Sequence, residues 1–149
     1  MESSERIKRF KYVILGDPIP LARCRVSRKY GHLRVFDPQK QLKLISQLNL
    51  KHQHGDNPLF NGPLHMDAYF YFHIPRTQKK TKPGYYHQFK PDTDNLLKMI
   101  MDIGYQVLFR DDCIVSEVFT YKQYSHFPRT EFYIYQLENH AKKEETRKT

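Results

Sequence analysis

Several residue types are scarce or missing in this sequence. It has no tryptophan, only two cysteines and only six glycines in 149 residues. Cys24 and Cys113 are far apart and form no CxxC pair, which argues against a disulfide framework or a cysteine-rich zinc site. We therefore expect both thiols to be small buried side chains of a protein that works in the reducing cytoplasm.

Long apolar stretches are also missing. No segment approaches the roughly 20 apolar residues that a membrane span requires, and the N-terminal MESSERIKRF has no apolar core typical of a signal peptide. Acidic residues are few: 16 Asp and Glu stand against 25 Lys and Arg, so the formal net charge is +9. An excess of positive charge favours polyanions, and nucleic acid is the better candidate than a membrane. The alternative is a generic basic protein.

The length fits one domain, and an aromatic content of 14% is typical of a folded chain. Residues 1–9 form a polar lead-in, residues 10–139 the folded domain and residues 140–149 a charged tail. The patterns predict strands at Phe10–Gly16, Arg23–Ser27, His32–Phe36, Leu64–Ile74, Ile114–Tyr121 and Thr130–Leu137. Because helices do not alternate regularly with strands, we expect an α+β domain in which two main helices pack on a mixed or mostly antiparallel sheet.

The first helix is predicted to begin near Asp37, which can cap it, with Pro38 at the first helical position. Its buried stripe is predicted to be Leu42, Ile45 and Leu48. At its end, His52 and His54 form a weak metal-ligand pair that we expect to face solvent. The second helix is predicted to run from Thr93 to Asp102.

Four aspartates surround the second helix. Asp92 and Asp94 lie at its start in PDTDNLLK, and Asp111 and Asp112 open the following strand in FRDDCIV. At a helix start the first residue is not yet helical, so two carboxylates spaced by two can converge. Converging carboxylates repel one another unless they bind protons or a hard cation. Oxygen ligands favour Mg²⁺, for which Mn²⁺ can substitute, and such an ion activates water for attack on a phosphodiester.

Each part of this cluster also has a purely structural interpretation. Asp92 can be a helix cap, Asp94 can form an exposed ion pair with Lys98, and Asp111-Asp112 can be a solvated turn. The functional interpretation is that Lys98 holds the scissile phosphate or stabilises developing charge. Asp102 continues the same helical row, as an outer-shell or a structural residue. The combination within 21 residues of a basic chain favours chemistry.

Two segments concentrate the positive charge. Nine Lys or Arg residues and one acid lie between Arg6 and Arg34, and five Lys or Arg residues and no acid lie between Arg76 and Lys90. The second segment interleaves charge with Tyr85, Tyr86 and Phe89, and aromatic rings can stack on or wedge between opened bases. The alternative is a solvated loop whose rings fold back onto the core. The predicted DNA-binding residues are Arg23, Arg25, Arg28, Lys79, Lys80, Lys82 and Lys90.

The segment PDTDNLLKMIMDIGYQVLFRDDCIV resembles the signature of the RusA family of Holliday junction resolvases. That signature is a DxDN start, a lysine four residues after the second Asp, a further Asp four residues on and a DD pair at a strand. The N-terminal GDPIPLARCRVSRKYGHLRVFDP resembles the family's glycine-proline turn and basic strand pair. The resemblance implies a RusA-like fold in which Asp92, Asp94 and Asp112 are the essential metal-binding carboxylates and Lys98 is the catalytic lysine.

The resemblance further implies a homodimer that resolves four-way DNA junctions by paired symmetric nicks, since a two-fold dimer presents two identical sites. Three alternatives remain open at this stage. The chain can be a non-catalytic module that binds structured nucleic acid, a nuclease for another branched or structured substrate, or a basic protein that assembles on RNA without chemistry.

Overall fold

The computed structural model describes residues 7–139. Its elements are β1 (Phe10–Leu15), β2 (Arg25–Lys29), β3 (His32–Phe36), α1 (Lys40–His54), β4 (Leu64–Phe72), α2 (Thr93–Gly104), a 3₁₀ turn (Asp112–Ile114), β5 (Val115–Tyr124) and β6 (Arg129–Gln136). The observed α+β arrangement, with two helices and a mixed sheet, confirms the predicted fold class. None of the helices in these residues is long and apolar enough to cross a membrane.

The main sheet has four strands in the order β1-β6-β4-β5. Strand β6 pairs antiparallel with both β1 and β4, whereas β4 and β5 run parallel. A parallel pair needs a long crossover connection, usually with a helix, and here the crossover contains α2. The start of α2 and the residues just before β5 therefore belong to the same crossover connection.

Strand β4 shows why the sheet has one core face. Its residues alternate strictly between fully buried and half-buried positions from Leu64 to Phe72, as period-two side-chain direction requires. The buried row shares its core with the apolar side of α2, which consists of Leu96, Met99, Ile100 and Ile103. The predicted alternation and the predicted second helix are both confirmed, and α2 extends two residues beyond Asp102 to Gly104.

Helix α1 corrects two predictions. It begins at Lys40 and not at Asp37, whose side chain instead accepts a hydrogen bond from the backbone N–H of Gln39 at 2.8 Å. The predicted buried stripe is wrong, because Ile45 and Leu48 are each 60% exposed and only Leu42 is half-buried. Three-residue spacing identified one face of the helix, but packing turned another face inward.

The inward face of α1 includes His54, so the prediction that this histidine faces solvent is also wrong. His54 is 4% exposed; its Nδ1 lies 2.7 Å from the Tyr12 hydroxyl and its Nε2 lies 3.0 Å from the Pro58 carbonyl oxygen. A buried histidine needs hydrogen-bond partners, and these two occupy both ring nitrogens. His52 is exposed as expected.

The two cysteines are free, but both are exposed and not buried as predicted. Cys24 precedes the β2–β3 hairpin and Cys113 lies in the 3₁₀ turn, two surface segments that the buried tendency of free cysteine does not anticipate. The predicted lead-in lies partly, and the predicted tail wholly, outside residues 7–139.

Candidate active site

The start of α2 holds the first aspartate. Asp92 occupies the N-cap position with extended backbone angles, yet its side chain receives no capping hydrogen bond from the described residues. Both its carboxylate oxygens instead accept hydrogen bonds from Lys90 Nζ, at 2.7 and 2.8 Å. The hydrogen bond from Lys90 lowers the pKa of Asp92 and keeps it ionised. The structural interpretation of Asp92 as a helix cap therefore does not hold.

Asp94 lies in the first turn of α2 and Lys98 lies one turn later. Asp94 Oδ2 is 3.5 Å from Lys98 Nζ, and both side chains are more than 60% exposed. An exposed ion pair at this spacing contributes only a few tenths of a kcal/mol. The pair is therefore weak enough for either partner to exchange it for a ligand.

A cleft of about 340 Å³ opens beside this helix. It is lined by Leu21, Lys98, Met101, Asp102, Tyr105 and Asp112. The cleft thus brings together the predicted lysine, one predicted metal ligand and Asp102. Asp112 reaches it because the 3₁₀ turn follows closely on the end of α2, as the short connection predicted.

The two adjacent aspartates differ in their roles. Asp111 Oδ1 accepts a hydrogen bond from the backbone N–H of Cys113 at 3.1 Å, which caps the 3₁₀ turn and is the main cause of a lowered pKa at Asp111. The hydrogen bond between the two carboxyl groups raises the pKa of Asp112. Asp111 is therefore committed to the turn, while Asp112 is a crowded carboxyl group at the cleft.

The structure does not bring the predicted metal ligands together in one group. Within residues 7–139, the structure holds no group of three or more His, Cys, Asp or Glu side chains placed to hold a metal ion. Asp92 is engaged by Lys90, Asp94 by Lys98, and Asp112 by Asp111. Their chemistry still fits a hard cation, since all three offer only carboxylate oxygen. Lysines supply the positive charge beside Asp92 and Asp94.

Two contacts at the site were missed by sequence reasoning. Lys43 of α1 is only 16% exposed, and its Nζ lies 2.6 Å from Asp37 Oδ2 and 2.7 Å from Asp102 Oδ2. Burial alone lowers the pKa of Lys43, but the bonds to Asp102 and Asp37 outweigh it, so the pKa is raised. Asp102 thus has a structural partner from another helix, and no local pattern in the sequence pointed to it.

The second missed contact comes from β5. Lys122 Nζ donates hydrogen bonds to the carbonyl oxygens of Phe89 and Pro91, at 2.7 and 2.8 Å. These two carbonyls belong to the segment that leads directly into Asp92. Lys122 is half-buried, and this desolvation lowers its pKa. It therefore fixes the backbone just before the first aspartate.

The basic loop between β4 and α2 approaches the same site. Its backbone is attached to β5, because Gly84 N–H donates to the Tyr124 carbonyl at 2.8 Å and His87 N–H donates to the Lys122 carbonyl at 2.9 Å. The aromatic side chains of the loop are Tyr85, Tyr86 and Phe89, which are 52%, 73% and 57% exposed. The rings therefore face outward, contrary to the alternative in which they fold onto the core.

The predicted phosphate contacts are all at the surface. Every one of the seven side chains is exposed: Arg23, Arg25, Arg28, Lys79, Lys80, Lys82 and Lys90. They belong to two separate groups, one on the β2–β3 hairpin and its approach and one on the loop. Lys90 differs from the others because its ammonium group forms an ion pair with Asp92.

Comparison with known proteins identifies the family of this chain. The family model described as endodeoxyribonuclease RusA matches residues 16–135, which include the hairpin, the aspartates and both main helices. The protein named "Uncharacterized protein YqaN", from Bacillus subtilis (strain 168), is 29% identical over 133 residues, which cover 83% of this chain and 94% of the relative. Because the family model spans most of the sequence, this chain belongs to the RusA family of endodeoxyribonucleases.

Proposed function

We propose that this chain resolves Holliday junctions in DNA recombination and repair, by paired symmetric nicks that depend on Mg²⁺. The observation that carries the proposal is the arrangement of three features along α2. Asp92 is not used as a cap, Lys98 and Asp112 line one cleft, and an exposed basic and aromatic loop leads into Asp92. A nuclease site needs these three parts: carboxylates, a cation for the phosphate and a surface for the DNA.

The proposed metal ligands are Asp92, Asp94 and Asp112. A bound Mg²⁺, or Mn²⁺ in its place, supplies an activated water and neutralises phosphate charge. To hold the ion, Asp92 and Asp94 would give up their exposed pairs with Lys90 and Lys98. Lys98, which lines the cleft, would be the group that holds the scissile phosphate or stabilises its developing charge.

The DNA-binding surface is proposed to be the hairpin and the loop. Arg23, Arg25 and Arg28 contact one arm, while Lys79, Lys80, Lys82 and Lys90 contact the arm next to the cleft. The outward rings of Tyr85, Tyr86 and Phe89 stack on bases opened at the branch point. We place the protein in the cytoplasm, where its two exposed thiols stay reduced.

The proposal includes a homodimer. A four-way junction has near two-fold symmetry, and two identical sites related by a two-fold axis can nick opposed strands. A monomer has one site and cannot make both nicks in a single encounter.

The test is cleavage of a synthetic four-way junction in Mg²⁺, beside a reaction without metal and a reaction with Asp94→Asn. We expect paired symmetric nicks that disappear in both controls while junction binding is retained. The matched control is Asp56→Asn, which changes an exposed aspartate in the loop that follows α1. This variant should cut the junction normally.

Two outcomes would count against the proposal. Tight binding without cleavage in both Mg²⁺ and Mn²⁺ would leave a non-catalytic binding module. Equal cleavage of linear duplex, flap and four-way junction would keep the nuclease but remove the junction preference.

A further inference from the structure

The β2–β3 hairpin stands apart from the main sheet. Within residues 7–139, its two strands pair only with each other. Nine of the ten strand residues are exposed, and the tenth, Ser27, is half-buried. Both sides of this two-stranded ribbon are therefore open in the part of the chain that the structure describes.

One side of the hairpin is basic. Directly opposed residues point to the same side of a sheet, and the strand register places on this side Arg25, Ser27, Lys29, His32, Arg34 and Phe36. No acidic residue occurs from Arg23 to Phe36. Among the described residues, the charged groups of Arg25, Lys29 and Arg34 have no ion-pair or hydrogen-bond partner. We call this surface the basic side of the hairpin, and its charges are free to meet a polyanion.

The middle of the basic side combines polar and apolar groups. Ser27 and Arg34 are a directly opposed pair, and together with Phe36 they line a depression of about 290 Å³. A guanidinium group and a hydroxyl group can bond the polar edges of bases, and an aromatic ring suits the methyl group of thymine. The ring of Phe36, a residue that is 39% exposed, adds nothing to a phosphate contact. This combination therefore fits the edges of bases better than phosphates alone.

The dimensions of the hairpin suit one groove of DNA. The major groove of B-DNA is wide enough for a two-stranded β-ribbon, whereas the minor groove is about half as wide. Each strand has five residues and therefore extends about 17 Å. Base pairs are about 3.4 Å apart along the duplex. A ribbon that lies along the major groove therefore spans about five base pairs.

The tip of the hairpin carries an aromatic residue in an unfavourable backbone conformation. Tyr30 and Gly31 join the two strands with φ angles of 53° and 75°, as in a type I′ turn, whose first position favours asparagine, aspartate or glycine. Positive φ is uncommon for a bulky residue. Tyr30 is also 89% exposed, so neither the turn nor packing accounts for its ring. An exposed ring can instead stack on nucleic acid.

We propose that the basic side of the hairpin enters the major groove of one junction arm, where it reads the base sequence and Tyr30 stacks against the DNA at the tip. The inference rests on the proposed binding of DNA junctions and adds the residues that select the sequence. Arg34 and Lys29 are the base-reading cations. Arg28 points to the other side of the hairpin and is left for a phosphate at the edge of the groove.

The first test is a binding selection without metal, which does not require cleavage. Four-way junctions with randomised base pairs in every arm are bound to the protein, and the retained DNA is sequenced. We expect the unmodified protein to prefer particular bases within a block of about five base pairs. At the strongest position, the preferred base should be favoured by about 5- to 150-fold.

Arg34→Ala should remove the preference at about one or two of these base pairs, because a base contact acts at its own position. The matched control is Lys79→Ala in the loop, which should weaken binding to all sequences and keep the preference. Both residues are exposed, and circular dichroism establishes that the variants are folded. A lack of preference in the unmodified protein, or an unchanged preference in Arg34→Ala, would overturn the inference.

The second test concerns the tip of the hairpin. Tyr30→Asn introduces a residue that the turn favours, so the melting temperature should not fall. Affinity for a four-way junction should nevertheless fall by about fivefold or more, because a stacking ring is lost. Tyr30→Phe should recover the affinity, and Phe127→Asn, at another exposed ring of the β5–β6 turn, should retain it. Unchanged affinity in Tyr30→Asn would overturn the contact at the tip.

Failure of the proposed function looks different from failure of this inference. A protein that selects junction sequences but does not cut them would lose the proposed activity and keep the reading hairpin. A protein that cuts junctions of every sequence equally well, with no preference in the binding selection, would keep the activity and lose the reading hairpin.

Discussion

Both helices of this domain have apolar residues at helical spacing, but they bury these residues to different extents. In α2, Leu96, Ile100 and Ile103 are at most 2% exposed and pack on the sheet, which leaves Asp94 and Lys98 on the outward side of the helix. In α1, Leu44, Ile45 and Leu48 are at least 54% exposed. Its inward side carries the buried Leu50 together with Lys43 and His54. Apolar spacing therefore identifies the candidate buried residues of a helix, but not which of them the fold buries.

The largest expected effect comes from removing equal apolar groups from the two helices. Ile100→Ala should destabilise the monomer by about 2–5 kcal/mol, because it leaves a cavity in a full core. Ile45→Ala should change the stability of the monomer by less than about 0.5 kcal/mol, since the side chain is already exposed. Urea denaturation at protein concentrations too low for association measures both. Equal losses of stability in the two variants would contradict the conclusion that Ile100 is buried in the core and Ile45 is exposed.

The next effect concerns the backbone that leads into α2. Lys122→Met removes both hydrogen bonds to the carbonyls of Phe89 and Pro91. We expect the Mg²⁺ concentration for half-maximal junction cleavage to rise about 10- to 100-fold, as for groups that orient metal ligands. Lys79→Met, in the exposed part of the loop, is the control: it should weaken DNA binding and leave the Mg²⁺ requirement unchanged. If Lys122→Met needs the same Mg²⁺ concentration as the unmodified protein, Lys122 does not position the metal ligands.

A smaller effect on stability should follow from removing the two ion pairs of Lys43. Lys43→Met leaves Asp37 and Asp102 without their cation. We expect a loss of about 1–2 kcal/mol in the free energy of unfolding, reduced by the partial exposure of Asp102. Lys40→Met, an exposed lysine at the start of the same helix, should cost far less. Similar losses in both variants would show that the bridge contributes little.

The smallest effect is a pH dependence on the sheet face opposite the helices. His65 contacts Asp67 and Glu117 at 2.8 and 2.9 Å. Burial lowers its pKa, but the two carboxylates outweigh burial and hold the pKa above its ordinary value. A raised pKa in the fold stabilises the protein below the unfolded pKa of about 6.5, and the contribution disappears as pH rises through the folded pKa. We therefore expect the unmodified protein to exceed His65→Gln in stability more at about pH 5.5 than at about pH 8.5. A larger advantage at the higher pH would contradict the assignment.

Much of this molecule could be predicted from local patterns. The alternation of apolar and polar residues from Leu64 predicted the central strand, because one face of the sheet is buried. The apolar spacing of α2 identified the side of this helix that faces the core. The exposed rings of Tyr85, Tyr86 and Phe89 also agree with the functional interpretation of the loop. The prediction failed for α1, for His54 and for both cysteines. In each of these cases burial depended on which distant element packed against the residue.

The sequence by itself determined the strand alternation, the amphipathic α2, the basic surface and the carboxylate and lysine groups of the proposed site. These follow from residue type and spacing, which act over a few residues. Only the tertiary structure decided that Lys43 joins Asp37 to Asp102 and that Lys122 holds the approach to Asp92. It also decided that Leu44, Ile45 and Leu48 of α1 lie outward. The physical reason is that burial and ion pairing depend on contacts between segments distant in the chain, which no local spacing records.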